Sequence, residues 1–364
     1  MANNNENKIL NVPNLRFPEF TNEWGNITIK EACSEFQSGK NIKAEMITGQ
    51  GLYPVYGGNG LRGFTESYNH DGDYILIGRQ GALCGNIRKV TGKTYVTEHA
   101  IAVCASKENE TTFLQYLFQK MKLGQYSDQS AQPGLAVNKL LRLNINVPSK
   151  IEQAKIAKIL SLIDERIITQ NKIIEDLKKL KSAIYQELFS NQQGEEYSLS
   201  ELVEIIKGQQ INGNELSENG KYYVMNGGIM PSGYYDDYNT EAGTISISEG
   251  GNSCGYVQYN SSKFWSGGHC YTLHIKPAAP ISTLFLFHFL KWKETDIMTL
   301  RIGSGLPNIQ KKDLSKVSII VPTLDKQQRI MTLLSTFQMK IEHEDMYAIN
   351  LNKQKQYLLS QMFI

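Results

Sequence analysis

Two stretches of the chain place apolar residues alternately four and three positions apart, and each predicts one long helix with a single apolar seam. The first seam runs through Ile156, Leu160, Ile163, Ile167, Gln170, Ile174, Leu177, Lys181, Ile184 and Leu188. The second runs through Ile330, Leu334, Phe337, Ile341, Glu344, Ala348, Leu351, Lys355, Leu358 and Met362. Polar residues interrupt both at the same two places, Gln170 with Glu344 and Lys181 with Lys355. Charged flanks beside so regular a seam mark a coiled coil, in which an isolated polar seam residue costs stability but can fix register and partner orientation. The plainer alternative is that each helix packs only on its own globular unit.

Ahead of each rod the period changes. β-type runs at 73–77, 101–103, 243–247 and 271–275 alternate with Gly-rich turns, and amphipathic helices follow at 112–122 and 282–293. Apolar strands at 143–147 and 317–321 then lead through Pro148 and Pro322 into the rods, where Gln153 and Gln327 each open a helix. The order is the same both times, at an offset of about 170 positions. Tyr53-Pro54-Val55-Tyr56-Gly57-Gly58 returns as Tyr223-Val224-Met225-Asn226-Gly227-Gly228, Gly81 with Cys84-Gly85 as Gly251 with Cys254-Gly255, and His99 as His269. An internal duplication follows, with heads at 14–150 and 197–322 and rods at 151–192 and 323–364. The expected fold class is α+β: two duplicated mixed α/β domains joined by two long helices that form an intramolecular antiparallel coiled coil.

A whole head separates the rods in sequence, so antiparallel pairing is expected to place the heads at opposite ends. Each seam of about 33 residues spans roughly 50 Å at the rise of an α-helix. B-DNA repeats every ~34–36 Å, so the pattern suits a duplex with two short specific segments and an unread gap.

Composition narrows the setting. The 364 residues leave room for two or three domains, and ordinary hydrophobic and charged fractions exclude bulk disorder. Five cysteines without C-x-x-C spacing point to reduced thiols rather than a disulfide framework, and matched Cys84 and Cys254 to small buried side chains. The Asn-rich start lacks a signal-peptide core and the longest apolar run, 284–290, is too short to span a bilayer, so a soluble cytoplasmic protein with no membrane partner is expected. The formal net charge is only +2, whereas a free-standing nucleic-acid binder usually carries a clear basic excess. Any DNA contact therefore needs basic residues segregated on one face, or a partner that supplies phosphate contacts.

Pro13-Asn14-Leu15-Arg16-Phe17-Pro18-Glu19-Phe20 with Trp24, the block at 53–60, the turn Ile77-Gly78-Arg79-Gln80-Gly81, and Val-Pro followed by Glu152-Gln153-Ala154-Lys155-Ile156-Ala157 carry a resemblance. Together with the second junction, Val321-Pro322 and Gln327-Gln328-Arg329-Ile330, they resemble the specificity (S) subunit of type I DNA restriction-modification systems, over essentially the whole chain. The resemblance implies a non-catalytic reader of double-stranded DNA with two target-recognition domains. It also implies two modification (methyltransferase) subunits positioned on an asymmetric bipartite site for N6-adenine methylation, with restriction subunits in the full complex. No cofactor is then expected on this chain; S-adenosylmethionine, ATP and Mg are used by the partner subunits. The residues agree, since no two prolines are adjacent to form the Asn/Asp-Pro-Pro-aromatic turn of amino-methyltransferases, and no G-x-x-x-x-G-K-[ST] loop occurs.

Base reading calls for Arg, Lys, Asn and Gln on loops, Arg or Lys suiting guanine and Asn or Gln adenine. Candidates in the first head are Arg62, Arg79, Gln80, Gln129, Ser130, Gln132, Asn138 and Lys139. Those in the second are Glu249, Asn252, Ser253, Arg301, Ser304, Asn308, Gln310 and Lys311. Where Arg79 becomes Glu249 the heads are expected to read different bases, a carboxylate being able to accept from cytosine N4. Lys40, Lys43, Lys207 and Lys312 suit phosphate contacts, which set position without reading sequence. His99 and His269 beside Cys104 and Cys270 lack zinc spacing, so no metal site is expected. Asp71, Asp73, Asp236 and Asp237 read as turn carboxylates rather than a nuclease cluster. The rival functions are a self-contained DNA methyltransferase or nuclease, and a coiled-coil scaffold that binds protein.

Overall fold

The β-type runs build the same three sheets twice. The computed structural model describes residues 11–128, 134–303 and 305–364. They form two compact units, Met1–Asn171 with Met346–Ile364, and Lys172–Asp345. In unit 1 the strand Gly25–Thr28 pairs antiparallel with Asn144–Val147. A four-stranded sheet takes the order Cys33–Ser38, Ala100–Ala105, Asp73–Gly78, Ile87–Thr91, and a three-stranded sheet the order Gly60–Thr65, Tyr53–Gly57, Tyr95–Val96. Unit 2 repeats this with Glu195–Ser198 on Ser318–Val321. Its four strands are Val203–Lys207, Cys270–Ile275, Thr244–Ser248 and Val257–Asn260, and its three are Gly233–Tyr235, Tyr222–Met225 and Trp265–Ser266.

The inner strand Asp73–Gly78 carries an unbroken apolar run, Ile75 to Ile77, because both its faces are covered there. Ile75 and Ile77 join Phe113, Leu114 and Leu117 of the helix Thr111–Met121, while Leu76 packs with Val96, Ala100 and Ala102 on the other side. In unit 2 hydroxyls occupy the second face of the matching strand, and each is bonded: Ser246 Oγ accepts from Asn260 at 2.9 Å and Ser248 Oγ donates to the Gly227 carbonyl at 2.6 Å. A buried polar group so paired avoids its desolvation penalty.

The rods are the helices Lys150–Ser190 and Leu324–Gln361, and each unit holds half of both. Within unit 1 the Lys355 ammonium lies 2.6 Å from Asp164, and Leu359, Met362 and Phe363 share a core with Ile156, Ala157 and Leu160. Within unit 2 Lys181 donates to Gln338 at 2.6 Å, and Tyr185 and Phe189 share a core with Ile330, Met331 and Leu334. Late residues of one rod meet early residues of the other in both units, so the rods run antiparallel. Every apolar seam position is buried or half-buried. The plainer alternative, packing of each rod on its own head alone, does not hold: the rods touch each other, and the far end of each packs on the other repeat's head, Phe363 stacking on Phe113 at 5.2 Å and Phe189 lying 5.6 Å edge-on to Phe289. Coiled-coil seam and head core are therefore one continuous apolar surface within each unit.

The junction glutamines explain how each rod is seated. Gln153, 1% exposed, donates to Asn109 at 2.9 Å and to the Pro148 carbonyl at 3.0 Å, and accepts from the Glu110 amide at 2.9 Å. Gln327, 0% exposed, donates to the Pro280 and Pro322 carbonyls at 2.8 and 2.9 Å and accepts from the Ser282 amide at 2.9 Å. Each one ties the start of a rod to the start of a head helix. Unit 1 adds a second clasp: Arg16 grips the buried Glu152 carboxylate through two nitrogens at 2.7 and 2.8 Å, with Trp24 Nε1 donating to it at 3.3 Å.

Candidate nucleic-acid interface

In both units the strand at the centre of the four-stranded sheet ends in a tight turn that glycine makes possible. Gly81 and Gly85 hold φ of 79° and 84°, and Gly251 and Gly255 hold 80° and 92°, a region disfavoured for side chains with a Cβ. A Cβ on Gly85 would sit 2.1 Å from the Gly124 amide nitrogen, so the turn also lies flat on the backbone beneath it. The Cys84 thiol donates to the Arg79 carbonyl at 3.3 Å and the Cys254 thiol to the Glu249 carbonyl at 3.0 Å. Burial pushes both thiols up from their ordinary pKa, which suits a structural role.

The residue that leads each turn is clamped by its backbone. Arg79 donates its amide to the His99 carbonyl and accepts from the Leu135 amide, both at 2.9 Å. Glu249 donates to the His269 carbonyl at 2.9 Å and accepts from the Ile309 amide at 2.8 Å. Around these turns open two matching clefts. Gly57, Gly58, Asn59, Arg62, Gln80, Gly81 and His99 line one of about 380 Å³ in unit 1. One of about 530 Å³ in unit 2 is lined by Lys207, Asn226, Ser232, Glu249, Asn252, Ser253, His269 and Asn308 among others.

The lining differs in charge. In unit 1 His99 bridges Gln80 at 3.0 Å and Glu98 at 3.1 Å, while the side chains of Arg62, in the lining, and of half-buried Arg79, next to it in the turn, have no hydrogen-bond or ion-pair partner among the described residues. In unit 2 the Glu249 side chain turns inward, 12% exposed, with Lys207 Nζ 2.6 Å and the Tyr271 hydroxyl 3.0 Å from its Oε1. Burial and this carboxylate push Tyr271 up to about 12. The carboxylate expected to accept from cytosine N4 is thus engaged within the unit by Lys207 and Tyr271.

The other expected contacts are distributed as follows. Asn59, Arg62 and Gln80 are exposed around one cleft, and Asn138 and Lys139 lie exposed on the short helix Val137–Leu141 beyond it. Asn252, Asn308, Gln310, Lys311 and Lys312 are exposed, and Ser253 half-buried, around or beside the other cleft, with Arg301 exposed on the adjoining loop. Lys40 is exposed, and exposed Lys43 sits 3.7 Å from Glu45. Gln129, Ser130, Gln132 and Ser304 lie outside the described residues. Among the described residues no group of three or more His, Cys, Asp or Glu side chains could hold a metal ion, and no helix is long and apolar enough to cross a membrane.

The model of the type I restriction modification DNA specificity domain matches the chain twice, at residues 21–179 and 191–351. The chain belongs to this family. It is 40% identical over 173 residues to the specificity subunit of the type I restriction enzyme EcoprrI from Escherichia coli, a stretch covering 46% of this chain and 42% of that one. The chain thus spans less than half the length of that relative. In fold it is similar to the S subunit of a type I restriction-modification system from M. genitalium, with a TM-score of 0.70 at 22% identity over 97% of this chain and 99% of the other. A chain solved for complex assembly and conformational transition of the type I R-M system also shares the fold, with a TM-score of 0.60 at 16% identity over 93% and 97%. Each of the two clefts thus lies within one specificity domain.

Proposed function

We propose that this chain is the DNA-reading subunit of a type I restriction-modification complex, with each unit reading one half of a bipartite duplex site. The observation that carries the reading is one loop frame built twice, fixed by the same backbone bonds and lined by different polar side chains. A constant frame with a variable lining is what reading two unlike half-sites requires. The low net charge fits a subunit that shares phosphate contacts with two modification subunits, and restriction subunits join the full complex. Catalysis belongs to those partners, which use S-adenosylmethionine, ATP and Mg, and the complex works in the cytoplasm.

Mapping methylated adenines in a host genome with and without this chain tests the reading. A bipartite motif should vanish with the chain, and an unchanged methylation pattern would sink the proposal. The rods are assigned the spacing: removing one heptad from each should alter the unread gap and leave both read segments as they were. Altered segments with an unchanged gap would refute that assignment.

A further inference from the structure

The loop frames differ by a coordinated exchange of three side chains at matched positions. Sheet register places Ser38, Ile101 and Arg79 of unit 1 where unit 2 has Lys207, Tyr271 and Glu249. Unit 1 thus carries its cation on the turn itself. In unit 2 the turn carries an anion and the cation stands two strands away, across the strand that holds Tyr271, with its Nζ 2.6 Å from the carboxylate. The carboxylate is held from behind by Tyr271, whose hydroxyl also lies 3.2 Å from the Ile309 carbonyl. Its Oε2 is shut off from solvent without a hydrogen bond, 3.7 Å from His269 Nδ1. Lys207 is the outward member, its side chain 53% exposed at the mouth of the cleft.

We propose that Glu249 is a positioning residue that aims Lys207 at the acceptor edge of a guanine in the half-site read by unit 2, the task Arg79 performs directly in unit 1. The inference rests on the DNA-reading role proposed above. An ammonium has three donors, and Glu249 engages one, leaving two with a restricted direction. The pair is close to neutral, so it adds little to the counterion release that drives phosphate binding. Restricting a long, flexible side chain serves direction-dependent base contact, and guanine offers O6 and N7 side by side in the major groove. A lysine meant only for phosphate needs no buried carboxylate behind it. The pair therefore turns the expected phosphate contact at Lys207 into a specificity contact.

The test uses the full chain assembled with its partner subunits and a pool of duplexes randomised across the site. Glu249→Gln leaves the ammonium without a neutralising charge and loosens its hold, so the slope of log affinity against log salt should steepen by about 0.9 while guanine preference at one position falls on the order of tenfold. Lys207→Gln, at an exposed position and still able to donate to Glu249, should abolish the same preference, and it remains informative if Glu249→Gln fails to fold. The other half-site must stay unchanged, which reports an intact frame. Uniform weakening on all duplexes by Lys207→Gln, with base preferences kept, makes Lys207 a phosphate contact and overturns the inference alone. A wild-type complex without any sequence preference overturns the DNA-reading role and this inference together.

Discussion

Gln153→Ala and Gln327→Ala offer the most direct test of how head and rod are joined. Each removes a buried amide that makes three hydrogen bonds, to Asn109, Pro148 and Glu110 in one case and to Pro280, Pro322 and Ser282 in the other. A typical intramolecular hydrogen bond contributes about 1 kcal/mol net, so each variant should lose about 3 kcal/mol from its own unit. The loss should be local: exchange of the Glu110 amide should quicken in the first variant and of the Ser282 amide in the second. Gln153→Glu sharpens the argument, because a carboxylate can accept from Glu110 but cannot donate to two oxygens. At pH 7 it should be worse than alanine. Denaturant unfolding with amide exchange reads all three variants. A loss below about 1 kcal/mol in both alanine variants, or a glutamate variant milder than alanine, would refute the view that these amides seat the rods.

Three further outcomes follow from single contacts. Arg16→Ala should destabilise unit 1 by about 3–5 kcal/mol, because it strands the buried Glu152 carboxylate, and Arg16→Lys should recover only part of this since the two-pronged grip is lost; equal stability of lysine variant and wild type in urea unfolding would contradict the role of that geometry. His288 is lowered to about 4 by burial and by nearby Lys181, so between its ordinary 6.5 and about 4 the unfolded chain takes up a proton that the folded unit refuses. The His288 contribution to the stability of unit 2 should therefore fall as pH drops through that window, by roughly 3 kcal/mol in all, and level off below about 4; His288→Phe should flatten that part of the pH–stability curve, and an unaltered curve would count against it. Phe363→Ala and Phe189→Ala should each cost about 3–5 kcal/mol, the first in unit 1 and the second in unit 2, and calorimetry showing either change under 1 kcal/mol would deny that rod ends belong to the head cores.

Much of the frame was legible because periodicity reports which face of an element is apolar. The seams from Ile156 to Leu188 and from Ile330 to Met362 needed only spacing, and the Gly81 and Gly251 turns needed only the order of glycines around them. The direction of a polar side chain is not encoded in periodicity. Glu249 looked like a loop carboxylate, yet it points inward because Lys207 and Tyr271, distant in sequence, close over it. The signal that could have found it was the joint departure of Lys207, Glu249 and Tyr271 from Ser38, Arg79 and Ile101. The short edge strands Gly25–Thr28 and Glu195–Ser198 were missed because their pairing with Asn144–Val147 and Ser318–Val321 spans a whole head.

The two repeats agree at residues that serve the backbone and differ in and beside the clefts. Gln153 and Gln327, Cys84 and Cys254, and the glycines at 81, 85, 251 and 255 are the same in both, and each satisfies a main-chain bond or allows a main-chain bend. Arg79 and Glu249, Gln80 and Gly250, and Ser38 and Lys207 differ, although the bonds made by their own backbones are matched. Since those bonds do not depend on the side chain, the lining can change without disturbing the turn that presents it. Even the charge of Glu249 is neutralised within its own unit, by a lysine two strands away. A lone Arg79→Glu change in unit 1, without a lysine at Ser38, should therefore cost stability that the double change restores.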